Sequence, residues 1–247
     1  MPTRFHIGAH ALRGNIVAYA KRFDLLEVKI GLSREGGAPG PAVSTLRKWR
    51  KSVPPHFAFT VVAGANLSLV KAGAGLEEDL TAALAAVDAL EARCILLRTP
   101  ADVTPSKLWR DRMATLLARF PRDVTQVVWE PRGVWETEDA AVAAAGWGIV
   151  LSVDPSREPV PAGSIAYVRL RALGETRSFG PAALEKVLRA IGPRKDAYVI
   201  FETDSALAES KRLKTLAQTL GKAGRGGMGR VIRPRGLVVK VGDDEQE

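Results

Sequence analysis

The stretch Ala166-Tyr167-Val168-Arg169-Leu170-Arg171 carries the pattern that decides the fold. In an extended chain successive side chains face opposite ways. Val168 and Leu170 therefore share an apolar face, while Tyr167, Arg169 and Arg171 share the other. Leu25-Leu26-Glu27-Val28-Lys29-Ile30 repeats the arrangement. Leu26, Val28 and Ile30 form a wholly apolar face, and Glu27 and Lys29 point away from it. Strands of this kind suit a sheet rolled into a barrel and wrapped by helices, with the apolar face against the helices and the charged face in the lumen. The same alternation puts Gln126, Val128 and Glu130 on one face, Tyr198, Ile200 and Glu202 on another, and Arg98 opposite Ile95 and Leu97.

Working outward from these two segments, short β-rich runs alternate with helical ones. The runs are Phe5–Gly8, Leu25–Ile30, Phe57–Ala63, Cys94–Arg98, Val124–Trp129, Gly148–Val153, Ile165–Leu170 and Tyr198–Phe201. Helices are expected over Asn15–Phe23, Val43–Lys51, Leu76–Leu90, Ser106–Arg119, Thr137–Ala145, Pro181–Ile191 and Asp204–Leu220. The strongest has Leu76, Leu80, Leu84, Val87 and Leu90 near 3.6-residue spacing. Pro181 suits a first helical position. Between the sixth and seventh runs there is no room for a full helix. Eight strands with mostly helical crossovers make a small α/β barrel of the (β/α)8 TIM type, its helix between strands 6 and 7 missing or reduced. The barrel is expected to occupy residues 1–221. A tail from 222 to 247 interleaves Gly with Lys222, Arg225, Arg230, Arg233 and Arg235 and closes on four acids; Leu237-Val238-Val239 offers it one short strand. A rival doubly wound dinucleotide fold is disfavoured, because Gly8-Ala9-His10-Ala11-Leu12-Arg13-Gly14 lacks the G-x-G-x-x-G fingerprint.

The 247 residues are 46% apolar and 26% charged, with 36 Lys and Arg against 27 Asp and Glu. That balance excludes disordered, collagenous and disulfide-scaffold classes. The single Cys94 makes no internal bridge and no multi-thiolate zinc site. No apolar run reaches a membrane span, and Arg4 and His6 interrupt any signal core. A cytoplasmic protein without a cofactor motif or a metal site is the expectation. The net charge is +9. The tail's acids largely offset its bases, so most of the excess lies in the body.

Charges inside a barrel must pair, reach water or meet a ligand, since an unpaired buried charge costs several kcal/mol. Glu27, Lys29, Glu130, Arg169, Arg171 and Glu202 mostly fall late in their strands, at the mouth where barrels place their sites. Two inward arginines on the seventh strand suit a phosphate or carboxylate, which a guanidinium fork meets bidentately. A purely structural ion network, with Glu27–Lys29 and Glu130–Arg169 pairs, is the alternative. His10 lies just beyond the first strand, near the mouth; His6 and His56 belong at the opposite end. Cys94 opens its strand at that far end, which disfavours thiol chemistry.

The residues also resemble a family, the DUF72 (YecE-like) proteins. Trp49, Val53, Pro54, Phe57 and Phe59 match its W-x-x-x-V-P-x-x-F-x-F stretch. Leu26-Glu27-Val28-Lys29 matches its Val-Glu-Ile-Asn strand. Trp129-Glu130-Pro131-Arg132-Gly133-Val134-Trp135 is similar to its E-F-R-H-x-S-W motif, and Tyr167-Val168-Arg169-Leu170 to its Tyr-x-Arg-x-His-Gly strand. The chain departs from the pattern at Ala11-Leu12, Lys29, Val61-Val62-Ala63, Arg171-Ala172 and Glu202-Thr203. The resemblance implies a barrel and no particular reaction.

These readings converge on an anion-accepting mouth. Arg169, Arg171 and Arg132 would hold a phosphate- or carboxylate-bearing small molecule. Glu130 would act as general acid or base, with Glu27 setting its charge state through Lys29 or Arg169. Lys29, Glu202, His10 and Trp135 would complete the lining. The sequence pI of about 9.9, the net charge, the tail and Arg98, Arg132, Arg169 and Arg171 near one face support a nucleic-acid-binding barrel as the alternative; Arg47, Lys48, Arg50 and Lys51 read most simply as one solvated basic face. A non-catalytic scaffold is a third reading.

Overall fold

A computed structural model describes residues 3–31, 40–70, 72–172 and 178–226. Eight parallel strands close into a barrel in sequence order. They are β1 (Arg4–Ala9), β2 (Leu25–Lys29), β3 (Ala58–Val62), β4 (Cys94–Thr99), β5 (Gln126–Pro131), β6 (Val150–Val153), β7 (Ile165–Leu170) and β8 (Asp196–Phe201). The helices are α1 (Ile16–Ala20), α2 (Val43–Ser52), α3 (Ala65–Ser68), α4 (Ala74–Leu90), α5 (Lys107–Leu117), α6 (Thr137–Trp147), α7 (Pro181–Ile191) and α8 (Ala206–Gly226). The expected TIM barrel is the observed one. No helix joins β6 to β7; turns over residues 154–164 make the connection.

Alternation sorts the strand residues into two cores. Ile7, Leu26, Val28, Ile95, Leu97, Val127, Val168, Leu170, Val199 and Phe201 face outward into a shell shared with the helices. Leu25, Ala58, Val62, Cys94, Leu96, Val128, Tyr167, Tyr198 and Ile200 fill the lumen as a separate apolar cluster. Each large side chain so buried removes apolar surface worth about 1.5–3 kcal/mol, which holds the ring of staves closed. Gly8 marks the tightest approach: a Cβ there would sit 2.1 Å from the Leu25 carbonyl oxygen. The lower lumen is closed by His6, whose Nε2 lies 3.0 Å from Asp196 Oδ1 and whose ring stacks on Tyr198. Burial lowers the His6 pKa.

Most helix boundaries follow local signals. Asn15 Oδ1 accepts from the Ala18 N–H at 2.8 Å and caps α1. Pro181 opens α7, and Gly148 ends α6 in the left-handed region, with φ 65°. The short α3 is absent from the sequence reading because its cap is remote: Asp79, on α4, accepts from the Asn66 and Leu67 N–H groups at 2.8 and 3.2 Å. Helix α8 runs past the expected stop at Leu220 to Gly226, so the expected boundary at 221 falls within a helix. The rest of the tail, with Leu237-Val238-Val239, lies outside the described residues. Where the β6–β7 helix would sit, small side chains including Ala141, Ala144, Ala145 and Ala162 line a cavity of about 200 Å³. Among the described residues no helix is long and apolar enough to cross a membrane.

Candidate functional site

Because inward positions recur every second residue, β2, β4, β5 and β7 and the end of β8 deliver Glu27, Arg98, Glu130, Arg169 and Glu202 to the mouth. Arg169 is the hub, with its side chain 4% exposed. Its Nη1 donates to both Glu27 oxygens, at 2.7 and 2.9 Å. Its Nε donates to Glu202 Oε1 at 2.6 Å and lies 3.3 Å from Glu130 Oε2. The Tyr167 hydroxyl, one layer below, donates to Glu27 Oε1 at 2.7 Å. Arg171 sits above, its side chain 36% exposed. It donates from Nη2 to Glu130 Oε1 at 2.5 Å and from Nε to Glu202 Oε2 at 3.1 Å.

Arg98 completes the ring differently. Its Nε lies 3.2 Å from Glu130 Oε2, yet both atoms are buried and neither has an aligned hydrogen bond. Burial lowers the Arg98 pKa, and the charges of Arg169 and Arg132 add to the effect against the attraction of Glu130 and Glu202. The mouth therefore contains three acids already shared between Arg169 and Arg171, and one arginine less well served.

The carboxyls respond to their surroundings in opposite directions. Burial pushes Glu27 above its ordinary range despite Arg169 and Tyr167. Burial also opposes ionisation of Glu130, but Arg169, Arg98 and Arg171 outweigh it and hold that carboxyl below its usual range. Glu202 is likewise desolvated, and Arg169 and Arg171 bring it down to about 2.

The rim is built by two loops fastened together. The Arg132 N–H donates to the Thr99 carbonyl at 3.1 Å, joining the ends of β5 and β4. Gly133 has φ +88°, and a Cβ there would lie 2.7 Å from Ala101 Cα. The Trp135 indole N–H donates to the Val103 carbonyl at 2.6 Å. Arg132 is thus an exposed cation on a stiff support beside Arg98. On the opposite side, Asp154 Oδ2 accepts from the Arg171 N–H at 3.0 Å, and Arg157 Nη2 donates to the Arg171 carbonyl at 3.0 Å. The Arg171 backbone is thus held on both sides of its Cα.

A model of the family described as "Protein of unknown function DUF72" matches residues 13–234. The chain belongs to the DUF72 family. A DUF72 family protein from Enterococcus faecalis is 15% identical, with a TM-score of 0.67 over 94% of this chain and 99% of that one. Another from Thermotoga maritima is 16% identical, with a TM-score of 0.61 over 88% and 99%. A xylose isomerase domain containing protein from Salmonella typhimurium is 14% identical, with a TM-score of 0.56 over 89% and 97%. At these identities the likeness is one of fold. No curated protein matches the chain.

In this DUF72 barrel, Glu27, Glu130, Arg169, Arg171 and Glu202 come together as one network. Three expectations need correction. Of the two partners expected for Glu27, Arg169 is the one it meets; Lys29 ends β2 exposed and has no ion pair among the described residues. Trp135 does not line an open site: it is buried, set edge-on against Trp129 and Trp147, and covered by the Arg110 guanidinium. Arg169 is not an open anion receptor, because three carboxylates occupy it. His10 reaches the level of Glu202 through the β1–β8 register, and its buried Nδ1 lacks a hydrogen-bond partner. Arg98 was readable as an inward residue and as one of the arginines favouring nucleic acid, but not as part of a small-molecule site. A cation ending an otherwise apolar strand, Cys94-Ile95-Leu96-Leu97-Arg98, was the available signal. The roles of Tyr167 and Asp154 had no local signal, because their partners lie 140 and 17 residues away. Among the described residues no three His, Cys, Asp or Glu side chains are disposed to hold a metal ion.

Proposed function

We propose that the mouth binds a small molecule through a carboxylate or phosphate seated on Arg98 and Arg132, with Arg171 at the edge of the seat and Glu130 as the adjacent acid or base. The observation that carries this reading is the buried Arg98 Nε without an aligned acceptor. A cationic donor left unsatisfied costs more than a neutral one, and an anion supplies the missing acceptor. Arg132, exposed on the rim, adds a second positive charge whose field reaches Arg98. Arg169 then serves as the pillar that positions Glu130 and Glu202.

The basic face of α2 gives nucleic acid little support. Arg50 spends its guanidinium on the Phe57 and Pro54 carbonyls, at 2.9 and 2.6 Å, and over the Phe59 ring. Thermal unfolding in sodium sulfate against sodium chloride of equal ionic strength tests the proposal. With both salts in the low millimolar range, below the general stabilisation that excluded sulfate gives any folded protein, sulfate is expected to raise the Tm of the wild-type chain more than that of Arg132→Ala. An equal rise in both proteins overturns the seat. No sulfate effect in the wild type, with salt-sensitive retention of generic oligonucleotides, returns the nucleic-acid reading to first place. No response in either assay favours the scaffold.

A further inference from the structure

Resting on the anion seat proposed above, we infer that the site is gated by its own ligand: an anion arriving at Arg98 and Arg132 causes Glu130 to take up a proton, so the ligand creates the general acid beside it. Glu130 is the carboxylate that meets all three inward arginines, Arg98 at 3.2 Å, Arg169 at 3.3 Å and Arg171 at 2.5 Å. Glu202 meets Arg169 and Arg171, and Glu27 meets Arg169. Competition for Arg98 and for the exposed edge of Arg171 therefore falls on Glu130 before the others. Its side chain is 6% exposed, so water cannot replace the lost pairing. Protonation is the compensation open to a buried carboxylate whose counter-charges are drawn away.

The groups facing Glu130 all bear on the outcome. Arg98 comes from β4, Arg169 and Arg171 from β7, Glu202 from the end of β8 and Glu27 from β2, and Arg132 follows Glu130's own strand. Without ligand the arginines keep Glu130 ionised. With an anion in place, the added negative charge and the diverted Arg98 act in the same direction and favour the acid form. The proton comes from solvent and adds to one carboxylate oxygen; no other bond changes. Glu202 remains ionised, because Arg169 still holds it at 2.6 Å. The substrate class implied is a carboxylate or phosphate ester with a proton-accepting oxygen next to the anionic group.

Isothermal titration of the full chain with sodium sulfate, which does not itself titrate in this range, separates the two ideas. The runs are made at pH 5.5 in buffers of different ionisation enthalpy. Binding heat reports the seat, and the dependence of that heat on buffer reports protons. The expected result is uptake of up to one proton. Affinity should then rise by as much as about tenfold per unit fall in pH through the window where Glu130 titrates. Uptake should disappear in Glu130→Gln and persist in His10→Gln. Sulfate binding without proton uptake, or with equal uptake in Glu130→Gln, overturns the gating and leaves the seat standing. Absence of sulfate binding overturns both. An infrared difference spectrum of the unaltered protein gives the same decision without a variant: a new protonated-carboxyl band on adding sulfate supports the inference, and its absence under saturating sulfate defeats it.

Discussion

Arg169 on β7 and Glu27 on β2, 142 residues apart in sequence, meet across the lumen through one guanidinium nitrogen that donates to both carboxylate oxygens. The contact spans the barrel, and Glu130 and Glu202 attach to the same arginine. The network thus ties β2, β5, β7 and β8 into one charged layer above an apolar lumen.

Removing the hub leaves buried acids without a counter-charge. Arg169→Met is expected to destabilise the protein by about 3–5 kcal/mol, measured by urea unfolding. The double variant with Glu27→Gln should recover part of that loss, because a neutral amide is cheaper to leave in the lumen than a carboxylate. A double variant as unstable as the single one would show that Glu27 is not the principal partner.

The depressed Glu202 predicts an acid limb. A carboxyl held at about 2 when folded and near 4.3 when unfolded contributes stability that is fully present above the unfolded value. That contribution is lost as pH falls toward the folded one. Glu130, also depressed, adds to the same limb, whereas raised Glu27 has the opposite sign: its contribution is present below its unfolded value and lost as pH rises. Tm should fall between about pH 5 and pH 2, and less steeply in Glu202→Gln. Parallel profiles for the two proteins would refute the assignment.

Closure of the staves depends on Gly8. Gly8→Ala drives a methyl group into the Leu25 carbonyl, and backbone cannot move aside as a side-chain tip can. A loss of about 3 kcal/mol or more in unfolding free energy is expected, the upper range for overpacking. A near-neutral effect would mean that β1 and β2 are further apart than described.

The rim makes a subtler prediction. Trp135→Phe keeps most of the buried ring and removes the N–H donated to Val103, leaving that carbonyl without its partner. A cost of about 1 kcal/mol is expected. Sulfate affinity should weaken although residue 135 touches no ligand, because the loop bearing Arg132 loosens. Unchanged sulfate affinity with the expected loss of stability would separate the fastening from the seat.

Much of this architecture could be read in advance from alternation alone. Ile165–Leu170 and Pro181–Ile191 have the predicted bounds, because an uninterrupted period and an N-terminal proline are local properties. The inward direction of Glu27, Glu130, Arg169 and Glu202 was readable for the same reason. Their partners were not. Whether Glu27 meets Lys29 or Arg169 depends on ring closure, which brings β2 and β7 to opposite sides of one lumen. The burial of Trp135 has no sequence signal, because an aromatic residue in a loop looks the same whether it stands open or is tucked under Val103. Asp79 and Asp154 were passed over because their N–H partners belong to other elements.

The absent helix beside β6 has a mechanical consequence. β6 has four residues and pairs over two positions with each neighbour, and the cavity at its foot leaves part of its outer flank thinly backed. Fewer hydrogen bonds must break at either of its seams than at the seam between β7 and β8, which pair over six positions. When the native ring breathes, this stave is the hinge line: its amides trade hydrogen for deuterium first, while the charged layer on the neighbouring staves stays shut.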